Sequence, residues 1–153
     1  MKVFTIGFKG RSAEDFLLAL KNAGVQKLID ARRKNSSQLA GFTKGPDLRF
    51  FLQECLRISY EHIPEFAPSE ELLREYQSRV GKTKKNDAAW AYYSERFRCE
   101  VLSEQIIERF QKAANDFNVI CLLCSEETAD RCHRRLLVEH FKRHLPSLQI
   151  QHL

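Results

Sequence analysis

Long apolar runs are what this chain most plainly lacks. No stretch approaches the ~20 consecutive apolar residues that a helix needs to cross a bilayer. Met1-Lys2-Val3-Phe4 leads straight into a strand-like segment, with no secretory apolar region or cleavage site. The expectation is therefore a cytoplasmic protein with no membrane partner. Internal repeats and low-complexity segments are absent too, which excludes solenoids and arrays. An even cysteine framework is also missing. The five cysteines stand at 55, 99, 121, 124 and 132, an odd number in a chain unlike a small secreted scaffold, so reduced thiols are expected. What is present is an ordinary globular balance, 43% apolar and 29% charged over 153 residues. That is enough for one domain, 1–153, to bury its own core. The net charge of +5 permits an anionic partner without requiring one.

Hydrophobic patterning alternates between strand and helix. Val3-Phe4-Thr5-Ile6-Gly7 predicts a first strand. Ser12 and Asp15 form a capping-box pattern ahead of Phe16, Leu17 and Leu20, and Gly24 suits a left-handed helix end. Val25 to Asp30 predicts a second strand, apolar on both faces as in a parallel sheet. Residues 31–45 are irregular, Pro46 suits a first helical turn, and Ser59 to Ile63 predicts a third strand. A helix is expected from about Ser69. Helical patterns resume from Asp87 to Phe117, Asn118 to Cys124 predicts the strongest strand, and Asp130 to His144 a helix. A last strand falls near Leu148–His152. This order implies a Rossmann-like α/β fold: a three-layer sandwich with a mostly parallel sheet of about five strands. One core is expected, containing Ile6, Phe16, Leu28, Ile29, Leu52, Phe110, Val119, Ile120, Leu122 and Leu137.

In such sheets a site lies outside the carboxyl ends of the strands. The polar clusters fall there: Gly7 to Arg11, Asp30 to Arg33, His62 to Glu65, and Cys124 to Arg134. The last is the most informative. A cysteine ends a buried strand, and Cys132, His133 and Arg134 are expected in the first turn of the following helix. Free N–H groups there favour a thiolate or an oxyanion. Cys124 or Cys132 would supply a thiol, His133 an acid–base, Glu126 and Asp30 would position them, and Arg32 and Arg134 would hold an anion. Thr5 and Gly7 bring backbone close to the site, and Arg11 and His62 add to its lining. Cys121 reads as a small buried hydrophobe, and a structural ion pair competes for Asp30. Cys124, Glu126, Cys132 and His133 fit no standard zinc signature, so neither metal nor cofactor is expected. Ser125, Glu126 and Glu127, where a phosphate-cradling loop needs glycine and bare N–H groups, also argue against a phosphate cradled by this loop itself.

Arg79, Lys82, Lys84 and Lys85 make a basic run, followed by Trp90, Tyr92, Tyr93 and Phe97. Basic loops with aromatics suit single-stranded nucleic acid. More often such charge is solvated and such rings are core.

With these motifs in view, the chain resembles the DUF488 family. It matches that family's Thr-Ile-Gly turn at Thr5-Ile6-Gly7, its Asp-x-Arg at Asp30 and Arg32, and its Tyr-x-His-x-Pro element at Tyr60, His62 and Pro64. The most specific signature is Leu-Cys-x-Glu followed by Cys-His-Arg, here Leu123, Cys124, Glu126, Cys132, His133 and Arg134. Three departures stand out: Phe8-Lys9 replaces the usual His-Ser, Asn35 stands near a usual proline, and Glu65-Phe66-Ala67 replaces a glycine-rich element. The resemblance implies an α/β fold and a polar site but no established reaction. The leading reading is an enzyme acting on an anionic substrate, a nucleotide or something related to nucleic acid. The alternative is a non-catalytic nucleic-acid-binding module built on residues 79–97.

Overall fold

The structure is a computed structural model that describes residues 1–36, 40–81 and 86–153. Lys82, Lys84 and Lys85 lie outside the described residues. The order is β1 (Lys2–Gly7), α1 (Ala13–Asn22), β2 (Lys27–Asp30), α2 (Gly45–Phe50), β3 (Ser59–His62), α3 (Glu70–Val80), α4 (Asp87–Glu100), α5 (Glu104–Ala114), β4 (Val119–Cys124), α6 (His133–His144) and β5 (Gln149–His152). A π-helical turn over Phe51–Cys55 extends α2.

Local chemistry sets most of the boundaries. The Ser12 hydroxyl oxygen accepts from the Asp15 backbone N–H at 3.0 Å and donates to the Asp15 carboxylate at 2.7 Å. It thus caps α1, though with a hydroxyl–carboxylate return bond in place of the backbone bond of a full capping box. Gly24, at φ +66°, takes the left-handed turn out of that helix. Ser69 caps α3 by accepting from the Leu72 N–H.

The five strands form one sheet in the order β3-β2-β4-β1-β5, and every neighbouring pair is parallel. The mixed α/β expectation holds, with the sheet wholly rather than mostly parallel. Parallel neighbours cannot be joined by tight hairpins, so helices cross over and cover both faces. The expected single core is in fact two. Alternate strand residues point to opposite faces. Ile6, Leu28, Phe16 and Leu52 pack on one side with Phe4 and Leu48. Ile29, Ile120, Leu122, Phe110 and Leu137 pack on the other with Phe97 and Phe141. Val119 only borders the first cluster. Helices α1 and α2 form one outer layer and α3 to α6 the other, giving a three-layer sandwich. Among the described residues no helix is long and apolar enough to cross a membrane.

One boundary bears on the site. Helix α6 begins at His133, three residues later than expected, and Cys132 is its extended N-cap at φ −131° and ψ 140°. The preceding loop closes on itself, with the Cys132 N–H on the Ala129 carbonyl at 3.2 Å. The Arg134 guanidinium then ties back the carbonyls of Glu126 and Glu127. Those contacts hold residues 126–131 out of the helix.

Candidate functional site

The carboxyl ends of β2 and β4 lie side by side, because Asp30 pairs with Leu123 and the Ala31 N–H continues the ladder to the Leu123 carbonyl. Chain from β2 leaves toward the α2 layer and chain from β4 toward the α6 layer. This divergence opens a crevice between them. A cavity of about 430 Å³ occupies it. Cys124, Ser125, Glu126, Cys132 and His133 line one wall, and Arg32, Arg33 and Lys34 another. Helix α3 closes it with Leu73, Arg74, Tyr76 and Gln77. A second cavity of about 590 Å³ adjoins it along α3, sharing Leu73, Tyr76, Gln77 and Glu126.

At the inner end stands a thiol–imidazole pair. Cys124 Sγ lies 3.5 Å from His133 Nδ1, and His133 Nε2 donates to the Ala31 carbonyl at 3.0 Å. That second bond fixes the tautomer, leaving Nδ1 for the sulfur. The Cys124 thiol is held well below the ordinary thiol range. A hydrogen bond donated by Cys132 is the largest cause; it opposes the cost of burial, and His133 and the Glu126 backbone N–H add to it. Cys132 is driven the other way, first by burial and then by its bond to Cys124. Burial opposes the charged form of His133, yet the facing Cys124 holds it above the usual histidine value. These directions favour the thiolate on Cys124 over one on Cys132, and favour the charged form of the His133 ring that faces it. Cys121 and Cys124 spell C-x-x-C, but three positions along a strand is an odd number. Cys121 therefore lies on the opposite face, fully buried, where burial pushes its thiol up.

Behind this pair sits a buried ion pair. Asp30 is fully buried and takes Arg32 in a two-pronged bond, 2.8 Å from Nε and 2.6 Å from Nη2. The Tyr60 hydroxyl also donates to it at 2.8 Å. Arg32 keeps a firm charge, since its Asp30 bond outweighs a burial cost that alone would weaken it. Its Nη1 has no partner. Burial and then Asp30 raise Tyr60 above the ordinary phenol range. Phe8, at the usual histidine position, lies under the Arg32 guanidinium at 5.3 Å.

Five residues from the sequence reading line the cavity, Arg32, Cys124, Glu126, Cys132 and His133, and Gly7 lies beneath the loop that frames it. A Cβ on Gly7 would fall 1.6 Å from the Glu126 carbonyl oxygen, so only glycine lets β1 pass under the loop. The other expected residues have different positions. Asp30 is sealed behind Arg32. Arg134, 1% exposed, braces the loop instead of facing the cavity. The Glu126 carboxylate points outward to Lys9 at 2.7 Å, so it positions no thiol. The Thr5 hydroxyl bonds His152 Nδ1 at 2.7 Å on β5. His62 Nε2 donates to the Arg32 carbonyl at 2.7 Å, holding the loop after β2. Arg11 is half-buried and does not line the cavity.

Sequence reasoning missed the Ala31 carbonyl, which is backbone and leaves no trace in residue identity. It also missed the α3 wall, whose Arg74, Tyr76 and Gln77 belong to no motif. Of the aromatics proposed for base stacking, Tyr93 and Phe97 are buried in the core, and the Arg79 guanidinium covers the Tyr92 ring at 3.8 Å.

Cys124, Cys132 and His133 are also the one group, among the described residues, that could jointly hold a metal. Their ligand atoms lie within 4.8 Å of one another, although their spacing matches no standard zinc signature.

The family model of a domain of unknown function, DUF488, matches residues 12–141. The chain belongs to the DUF488 family. The match begins after the Thr5-Ile6-Gly7 turn and ends before β5, so it covers both halves of the Cys-x-Glu and Cys-His-Arg signature. No curated protein and no solved structure matches the chain. In this DUF488 member the Cys-His-Arg element divides its work: Cys132 and His133 face the cavity, while Arg134 shapes the loop that frames it.

Proposed function

We propose that this DUF488 protein is an enzyme that acts on a small anionic substrate, nucleotide-like in character, with Cys124 as nucleophile. The observation that carries the reading is the Cys124–His133 contact, with His133 oriented by a third group, the Ala31 carbonyl. Nucleophile, base and orienter in hydrogen-bond sequence are the general signature of covalent catalysis.

In this mechanism the thiolate attacks an electrophilic centre of the bound substrate. The His133 imidazolium gives its Nδ1 proton to the leaving group and takes one back when the covalent intermediate is resolved. Arg32 supplies a fixed positive charge beside the sulfur, Arg33 adds charge at the cavity wall, and Lys34 and Arg74 stand there paired with Glu70. Tyr76, Leu73 and Pro68 give an apolar flank suited to a ring. The family contributes a domain assignment and no reaction.

The test is a thermal-shift comparison of nucleoside monophosphates with the matching nucleosides, since a ligand that binds only the folded state raises its melting temperature. Stabilisation by the phosphorylated members, together with protection of Cys124 from alkylation, supports the reading. Stabilisation that vanishes with added salt and appears equally with any polyanion favours instead the nucleic-acid-binding module at residues 79–97.

A further inference from the structure

Cys132 has no part in that mechanism, yet it is 2% exposed, opens onto the same cavity and donates to the reactive sulfur. A buried thiol beside a nucleophilic thiol is a chemical hazard unless it has a use. We propose that Cys124 and Cys132 form a reversible redox pair, in which a small hydroperoxide oxidises Cys124 and Cys132 closes a disulfide onto it. This inference rests on the reading of Cys124 as the nucleophile.

Three features of the chain favour it. The sulfurs lie within 4.8 Å and must close to about 2.05 Å in a disulfide. The chain between them is a loop, residues 125–131, and not a second strand, so Cys132 can advance without shearing the sheet. As an extended N-cap, Cys132 also lies outside the rigid body of α6. The remaining thiols lack such a partner: Cys121 is on the far face of β4, and Cys55 and Cys99 are exposed and free.

The chemistry balances with a hydroperoxide as oxidant. The Cys124 thiolate attacks the terminal peroxide oxygen; an S–O bond forms and the O–O bond breaks. The departing alkoxide, or hydroxide from hydrogen peroxide, takes the proton of the His133 imidazolium. Cys124 is left as a sulfenic acid. The Cys132 sulfur then attacks the Cys124 sulfur, an S–S bond forms, and the sulfenic oxygen leaves as hydroxide and takes the Cys132 proton to become water. Two thiols are oxidised and one peroxide is reduced. The product has no nucleophile, and a dithiol reductant restores it.

The experiment exposes the reduced full chain to hydrogen peroxide and maps its peptides without reduction. Trypsin cuts after Arg131 and so places the two cysteines on separate peptides. The expected product is a cross-link between the Cys132 peptide and Cys124, lost on treatment with dithiothreitol. In Cys132→Ser, Cys124 is expected to accumulate as a dimedone-trapped sulfenic acid. Wild-type protein that goes to sulfinic acid at Cys124 with no cross-link, or whose Cys55 and Cys99 oxidise first, overturns the proposal. Failure here is separable from failure of the nucleophile reading: alkylation of reduced Cys124 tests the nucleophile alone, and the wild-type cross-link does not depend on any variant folding.

Discussion

His133 reaches across 102 positions to donate its Nε2 proton to the Ala31 carbonyl at 3.0 Å. The bond joins the first residue of α6 to the residue just after β2, so the imidazole is held by two elements that the sheet alone would not connect. Orientation of the ring toward Cys124 follows from this one backbone acceptor, and the ring then adds to the Cys132 hydrogen bond that chiefly lowers the thiol.

His133→Asn should therefore raise the Cys124 thiol toward the ordinary range. Each unit of rise removes about tenfold of the thiolate below the pKa, so alkylation of Cys124 at pH 6 should slow by tenfold or more. The measure is the rate of iodoacetamide labelling at Cys124, with circular dichroism to show that the variant is folded.

The buried Asp30–Arg32 pair gives a stability prediction. Asp30→Asn leaves Arg32 charged and without its carboxylate, with Asp30 fully buried and Arg32 only 4% exposed at the cavity wall. Removing one partner of such a pair costs about 3–5 kcal/mol. Urea unfolding should show a loss of that size with little change in the slope, and a loss below about 1 kcal/mol would mean that Arg32 finds another partner.

Gly7→Ala tests the close approach of β1 to the loop after β4. The added Cβ meets a backbone carbonyl, which must move, and overpacking of this kind costs about 1–3 kcal/mol. Cys124 labelling should fall as well, because Glu126 also donates its N–H to that sulfur. Lost stability with unchanged labelling would separate the loop from the site.

The thiol reading predicts protein without stoichiometric metal. Three donors fall short of the four protein ligands of a closed structural zinc site, and their spacing matches no standard zinc signature. Elemental analysis of protein purified without chelator should find neither zinc nor iron at one per chain. One metal per chain, lost in Cys132→Ser, would move the account to metal chemistry on the same three residues.

Much of the fold was legible because its signals are local. Ser12, Gly24, Pro46 and Ser69 each mark a helix end by their own backbone chemistry, and the doubly apolar β2 and β4 announce a parallel sheet. The site was legible at the level of its cluster, since Cys124, Cys132 and His133 stand near one another in the chain. Direction was not. Whether Glu126 faces inward or toward Lys9, and whether Arg134 meets a ligand or two carbonyls, depends on how residues 125–131 are folded. That path is set by Gly7 and Arg134 through tertiary contacts that no spacing rule carries. The two-sided core was implicit in a strand apolar on both faces, but which helices cover which face is settled only when the strands are placed in the sheet.

The most direct test of the account is alkylation of the native, reduced protein with iodoacetamide at pH 6, read peptide by peptide. An ordinary thiol, with a pKa of about 8.5, is below ~1% thiolate there. Cys124 lies well below that range, and His133, held above its usual value, still carries its proton at this pH. The ion pair is thus present from above the Cys124 pKa up to the His133 pKa, and labelling should persist at pH 6 and decline only as pH falls through the Cys124 pKa. The account predicts that Cys124, though buried at the inner end of its cavity, is labelled well ahead of the exposed Cys55 and Cys99. Labelling of Cys55 and Cys99 first, with Cys124 inert until the protein unfolds, would contradict it.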